Sequence, residues 1–193
     1  MKNLLLVILS VLFAGLVSAQ NSFGHMTFMG IPIDGSLDDF TVKMEQKGFA
    51  HLGTMDGNAS FKGEFAGYKD CIIGVVTFRS TGVVFYVAVA FPPGDKWSKI
   101  YGSYSFLKEM LTKKYGEPSN SREVVDGEHL SDKDKNRKYD VILDKCIYES
   151  VWETDKGGIE LKIIKKWLGS CVVLNYSDKI NSAKVAEAAL DDL

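Results

Sequence analysis

Two apolar runs, CIIGVVTFR (Cys71–Arg79) and VVFYVAVAF (Val83–Phe91), flank Ser80-Thr81-Gly82. Both are dense in β-branched and aromatic residues, and the link between them is too short for a parallel crossover. An antiparallel hairpin is the only strand pairing that such a short turn allows. Because the runs are apolar at consecutive positions, they are expected at the centre of a sheet and covered on both faces.

The flanking sequence builds outward from that hairpin. His25–Ile33 reads as a first strand, followed by an Asp34-Gly35 turn. Ser36-Leu37-Asp38-Asp39 has the form of a capping box, with Asp in the Glu position, and opens a helix. Leu37, Phe40 and Met44 share one face of it, and Gly48 ends it. Phe61, Gly63 and Phe65 then alternate with Ser60, Lys62 and Glu64, as in a half-buried strand. After the hairpin, Pro92-Pro93-Gly94 breaks the sheet. A second helix is predicted from Asp95 to Tyr115 with Trp97, Ile100, Tyr104, Leu107 and Leu111 as its apolar stripe. Gly102 is a candidate kink inside it, and Gly116-Glu117-Pro118 is the stop.

Downstream, a strand is expected over Arg122–Val125, then a charged loop over 126–145. A meander of Cys146–Thr154, Ile159–Trp167 and Cys171–Ser177 follows. In its middle strand Ile159, Leu161, Ile163 and Trp167 face one way, Glu160, Lys162 and Lys166 the other. A short C-terminal helix over Asn181–Leu193 carries Val185, Ala189 and Leu190. The order is helix then meander, twice. The expected fold is therefore α+β: tandem helix-plus-antiparallel β-meander units over 20–94 and 95–193, with both helices on one face and a short C-terminal helix.

Residues 1–19 read as a signal peptide. Lys2 precedes an apolar run from Leu4 to Val17 that is shorter than the ~20 residues a spanning helix needs, and Val17-Ser18-Ala19 supplies small residues for cleavage. The exported chain would begin at Gln20, periplasmic or secreted. Export permits disulfides, but there are only three cysteines, Cys71, Cys146 and Cys171. With one strand between Cys146 and Cys171, their backbones would lie about 9–10 Å apart, beyond the ~7 Å limit of a disulfide. Buried thiols are expected instead.

FMGIPIDGSLDDFTVKMEQKGF, FKGEFAGYKDC and LKEMLTKKYGEP together resemble a group of small secreted proteins of Bacteroidetes with no assigned function. The layout is also similar to that of beta-lactamase inhibitor protein and outer-membrane assembly lipoproteins. In those, a Gly-small-x-x-apolar start, as at Gly35 to Phe40, opens a helix packed on an antiparallel sheet. The lipid-anchor cysteine of the lipoproteins has no counterpart here. These resemblances imply location and fold and give no residue a catalytic role.

Function is bounded mainly by exclusion. Apolar residues make up 46% of the chain and charged residues 25%, which is a globular balance. Lys and Arg number 23 against 25 Asp and Glu, so the basic excess of a nucleic-acid binder is missing. His25, His51 and His129 show no metal-ligand spacing. Asp132, Asp134, Asn136 and Asp140 fall at calcium-loop positions, but Arg137 stands where glycine is needed and Leu143 where the bidentate Glu belongs. The nucleophile elbow, the phosphate loop and the dinucleotide fingerprint are all missing. No cofactor and no metal site are expected.

Two groups of residues remain as candidates. Glu149, Glu153 and Glu160 form a carboxylate cluster that would suit a cell-envelope hydrolase. Lys162 offers the plainer account of a cross-strand ion pair. The aromatics Trp97, Tyr101, Tyr104, Tyr148, Trp152, Trp167 and Tyr176 exceed what two helix stripes need. Of these, Tyr148, Trp152, Trp167 and Tyr176 are candidate anchors on a sheet face for an extracytoplasmic protein or peptide. The resulting expectation is an exported, non-catalytic binding module, with the hydrolase or a small-molecule carrier as alternatives.

Overall fold

In a computed structural model, residues 24–125, 146–166 and 169–191 are described. A small hairpin of β1 (Thr27–Phe28) and β2 (Ile31–Pro32) precedes α1 (Leu37–Gln46). A first meander follows, of β3 (Ala50–Met55), β4 (Asn58–Phe65), β5 (Tyr68–Thr77) and β6 (Val84–Ala90). Helix α2 (Trp97–Tyr115) leads into a second, of β7 (Asn120–Val125), β8 (Cys146–Glu153), β9 (Gly157–Lys166) and β10 (Gly169–Asp178). Helix α3 (Lys179–Asp191) follows β10. The two meanders share one eight-stranded antiparallel sheet in the order β3-β4-β5-β6-β10-β9-β8-β7.

Period-two alternation makes one face of that sheet a continuous apolar layer. Across six strands the register aligns Phe61, Ile73, Val89, Leu174, Leu161 and Ser150 in one row. The next row is Ala59, Val75, Val87, Tyr176, Ile159 and Trp152, and both rows are buried. Helices α1 and α2 both cover this face. Phe40 and Met44 of α1, and Trp97, Ile100, Tyr104, Leu107 and Leu111 of α2, are buried in the same core. The helices do not sit equivalently: α1 packs on β3 and β4, whereas α2 packs on β9 and β10. The β1–β2 hairpin also lies on this layer, with Phe28 stacked on Phe65 at 5.2 Å and edge-on to Tyr176 at 5.6 Å.

Local sequence explains the helix ends. Ser36 Oγ accepts from the Asp39 amide at 3.2 Å, which caps the helix, but it donates to Asp39 Oδ2 at 2.9 Å, so the shorter Asp side chain meets the hydroxyl of Ser36 in place of the backbone N–H that a full capping box engages. At the other end the Gly48 amide bonds Glu45 O and the Phe49 amide bonds Met44 O, a Schellman closure with Gly48 at φ +88°. Helix α2 runs unbroken through Gly102, so the expected kink does not form.

Three other expectations are corrected. The single strand over His25–Ile33 is instead the β1–β2 hairpin, because Met29 and Gly30 both take positive φ and turn the chain in two residues. Strand β3 had no counterpart in the sequence reading. All of its residues are exposed, so it carries no apolar alternation, and its only signal is the Asp56-Gly57 turn that follows. On α3 the half-buried positions are Ile180, Ser182, Val185 and Ala188, while Ala189 is exposed and Leu190 is 69% exposed. The predicted charged loop, His129 and the calcium-like residues lie outside the described residues, as do residues 1–19.

The ends of the described chain are fastened together at Asp178. Its buried carboxylate accepts from the Met26 amide at 2.8 Å, from the Asn181 amide at 2.8 Å and from His25 Nδ1 at 3.1 Å. It therefore caps α3 and holds the N-terminal segment at once. Asn181 Nδ2 reaches Asp34 Oδ1 at 2.8 Å and the Ile33 and Val84 carbonyls at 3.2 Å. Burial raises the Asp34 carboxyl, but the Asn181 and Gly35 hydrogen bonds and the charge of His25 outweigh it and hold the group below its ordinary value.

The β4–β5 turn places exposed Ala66 at φ +50° before Gly67, a left-handed position that costs a non-glycine residue about 1–2 kcal/mol. Ala66→Asn creates the favoured Asn-Gly pair and should stabilise the protein by about 1 kcal/mol, read as a higher urea midpoint at unchanged slope.

Candidate functional site

Three of the predicted aromatic anchors belong to the sealed layer. Tyr148 packs against Trp97 at 5.1 Å and stands edge-on to Tyr101 at 5.7 Å and Tyr104 at 6.0 Å. Trp152 is 1% exposed and donates Nε1–H to Gly116 O at 2.9 Å, behind the end of α2. Tyr176 is buried under Phe28, and burial pushes its phenol far above the usual range. Tyr148, Trp152 and Tyr176 are therefore core residues rather than surface anchors, because alternation points them to the face that α2 and the β1–β2 hairpin cover. Trp167 lies outside the described residues.

The opposite face of the sheet is only partly shielded. Ile72 is 36% exposed, and Val76, Tyr86, Ala88, Ala90 and Val151 are half-buried beside Lys62, Glu149, Glu160 and Lys162. This qualifies the expectation that the central hairpin is covered on both sides: one side is sealed and the other is half-open. Near its centre is a depression of about 210 Å³ lined by Tyr86, Val151, Glu153, Glu160, Asn175 and Ser177. Four neighbouring strands, β6, β10, β9 and β8, supply these residues in register.

Its electrostatics centre on Glu160. Glu160 Oε2 accepts from Asn175 Nδ2 at 2.6 Å and from Lys162 Nζ at 2.8 Å. Burial raises its carboxyl, but hydrogen bonds from Lys162, Asn175 and Glu149 bring it below the ordinary value. Glu149, opposite Lys162 across β8–β9, moves the other way. Its hydrogen bond to Glu160, then burial, then the Glu160 charge raise it against the pull of Lys162 and Arg122. The pair is therefore asymmetric: Glu149 takes up a proton more readily than Glu160 does. Burial, and then the Glu160 charge, push Tyr86 up to about 12, so its phenol stays protonated at neutral pH.

Asn175 is the residue that sequence reasoning missed. It is 4% exposed, its Nδ2 is spent on Glu160, and its Oδ1 is buried without a hydrogen-bond partner. A lone amide inside the apolar run CVVLNYS was the available signal. Tyr86, in the apolar run of β6, was missed for want of any signal separating it from core.

The nucleophile chemistries find no support here. Cys71 is buried on the sealed face, donates to Tyr68 O at 3.3 Å, and has its thiol raised by burial. Strand β9 does separate Cys146 from Cys171. His25 belongs to the Asp178 clasp, and His51 Nε2 pairs with Thr54 Oγ1 at 3.1 Å on β3. Among the described residues no three His, Cys, Asp or Glu cluster as a metal site. Nor is any described helix long and apolar enough to cross a membrane. What the fold and site define is an α+β protein whose eight-stranded sheet has one sealed face and one half-open, charged, partly apolar face. No protein-family model, curated protein or solved structure matches the chain.

Two outcomes are expected. Trp152→Ala should cost roughly 3–5 kcal/mol in urea unfolding, as for a large core residue. Glu149→Gln should raise the unfolding midpoint at neutral pH. The raised carboxyl of Glu149 makes its ionisation unfavourable in the folded state, and Gln imitates the protonated form. The difference between variant and wild type should close as pH falls through the carboxylate range and Glu149 takes up its proton.

Proposed function

We propose that this protein is an exported, non-catalytic binding module that recognises a protein or peptide through the half-open face of its sheet. The observation that carries the reading is the asymmetry of the two faces. Helices α1 and α2 and the N-terminal hairpin seal one, while the other leaves Ile72, Val76, Tyr86 and Val151 accessible among charged side chains. Mixed apolar and polar patches with an aromatic at the centre are the composition of recognition surfaces. Export rests on the N-terminal segment, with cleavage after Ala19. The aromatic anchor on this face is Tyr86 in place of the buried Tyr148, Trp152 and Tyr176.

A second reading, a cell-envelope hydrolase, draws on the opposed shifts of Glu149 and Glu160. Paired carboxyls for glycoside chemistry stand about 5–9.5 Å apart with a substrate oxygen or water between them. Here Glu160 Oε2 is already tied to Lys162 Nζ at 2.8 Å and to Asn175 Nδ2 at 2.6 Å within the sheet. The binding reading is therefore preferred.

The test is capture from native envelope and medium fractions with tagged protein starting at Gln20. One dominant partner at near-stoichiometric yield is expected. Ile72→Asp combined with Tyr86→Ala should abolish capture, and Met110→Asp, on the exposed side of α2, should leave it intact. Capture that survives the sheet-face change but fails with Met110→Asp would refute the assignment.

A further inference from the structure

We propose that Asp56-Gly57, the turn joining β3 to β4, is a site of spontaneous isoaspartate formation, and that the product unfastens β3 from the edge of the sheet. The site is independent of the half-open face and of any partner bound there.

An aspartate followed by glycine is the step at which a backbone amide most readily attacks the preceding side chain, because glycine has no Cβ to hinder the approach. The chain holds three such steps, Asp34-Gly35, Asp56-Gly57 and Asp126-Gly127, the last outside the described residues. The first two are the same dipeptide and differ only in how they are held. At Asp34 both carboxylate oxygens are engaged: Oδ1 accepts from Asn181 Nδ2 at 2.8 Å, and Oδ2 faces His25 Nε2 at 3.3 Å. The backbone on either side is tied as well. Asn181 Nδ2 reaches Ile33 O at 3.2 Å, and the Val84 amide donates to Gly35 O at 3.0 Å. Asp56 and Gly57, by contrast, are both exposed, and the Asp56 carboxylate has no hydrogen bond or ion pair among the described residues.

The reaction needs nothing but water. The deprotonated Gly57 nitrogen attacks Asp56 Cγ, a new N–Cγ bond closes a five-membered succinimide, and one carboxyl oxygen leaves as water. A second water then opens the ring. Cleavage of N–Cγ restores aspartate, whereas cleavage between the nitrogen and the main-chain carbonyl carbon leaves the chain running through Cγ as isoaspartate. One water leaves and one enters, so mass is unchanged and no oxidant or reductant takes part.

The consequence falls on β3. Asp56 at φ +50° and Gly57 at φ +77° form a two-residue loop that sets Met55 opposite Asn58. Its far side is anchored to β5, since Thr77 Oγ1 donates to Gly57 O at 2.7 Å and the Thr77 amide to Asn58 Oδ1 at 3.0 Å. Isoaspartate lengthens the main chain by one carbon within this loop, which no longer closes in register. Every residue of β3 is exposed, so its place in the sheet depends on pairing with β4 rather than on burial.

The experiment is ageing of the folded protein beginning at Gln20 at neutral pH and 37 °C, followed by tryptic mapping. Isoaspartate is detected by enzymatic methyl transfer from S-adenosylmethionine and by chromatographic separation of the isomers. It is expected in the peptide Gly48–Lys62 and not in the peptide carrying Asp34, whereas in urea both peptides should convert. Hydrogen exchange of the aged fraction should show loss of protection for the β3 amides, with β5 and β6 unchanged. Equal conversion of the two peptides in the folded protein would overturn the site assignment, as would conversion of Asp56 only in urea. Isoaspartate at Asp56 with β3 still protected would overturn the release of the strand.

Discussion

The pairing of β6 with β10 is the contact on which the rest of the structure depends. Five residue pairs, from Ala90–Val173 to Tyr86–Ser177, join the last strand of each meander, and the Phe91 amide extends the seam to Val172 O at 3.0 Å. Without it there would be two four-stranded sheets, each with an exposed apolar edge. With it, the rows Ile73–Val89–Leu174–Leu161 and Val75–Val87–Tyr176–Ile159 run uninterrupted from one unit to the other. A slip of one residue would turn Leu174 and Tyr176 to the open face and Asn175 into the core. The same register assembles the depression, since Tyr86 and Asn175 come from the two sides of the seam. Asp178 locks one end of it by holding the N-terminal segment and capping α3 directly after β10.

Much of the architecture was legible because it is encoded locally. The Ser36 N-cap, the Gly48 termination and the five-residue stripe of α2 each depend on residues a few positions apart, and each formed as read. The two meanders were legible from turn residues and strand length. Strand β3 was not, because an edge strand exposed along its length has nothing to bury. Its pairing with β4 is fixed by the Asp56-Gly57 turn and bends at Gly53, where the register shifts. The Met29-Gly30 turn was obscured by the apolar residues on both sides of it.

The site was harder to see for a different reason. Alternation puts Tyr148 and Trp152 on the face opposite Glu149 and Glu153. It could not say which of the two faces a helix would cover, since both carry apolar residues. Register resolves this: Trp152 sits opposite Ile159, so the aromatics share the face of the Ile159–Leu161–Ile163 stripe and must be sealed with it. The face left over is the one with the charges, and the carboxylates noticed in sequence prove to be its rim. Its centre, Asn175, acquires meaning only once the strand on either side of it is known.

The division of the sheet into a sealed and a half-open face is the claim that supports both the core assignment of the aromatics and the position of the site. A soluble paramagnetic relaxation agent tests it directly by nuclear magnetic resonance. Side-chain signals of Ile72, Val151 and Tyr86 should broaden strongly, while those of Ile73, Val87 and the Trp152 indole N–H stay sharp. Comparable broadening of Ile73 and Trp152 would contradict the account.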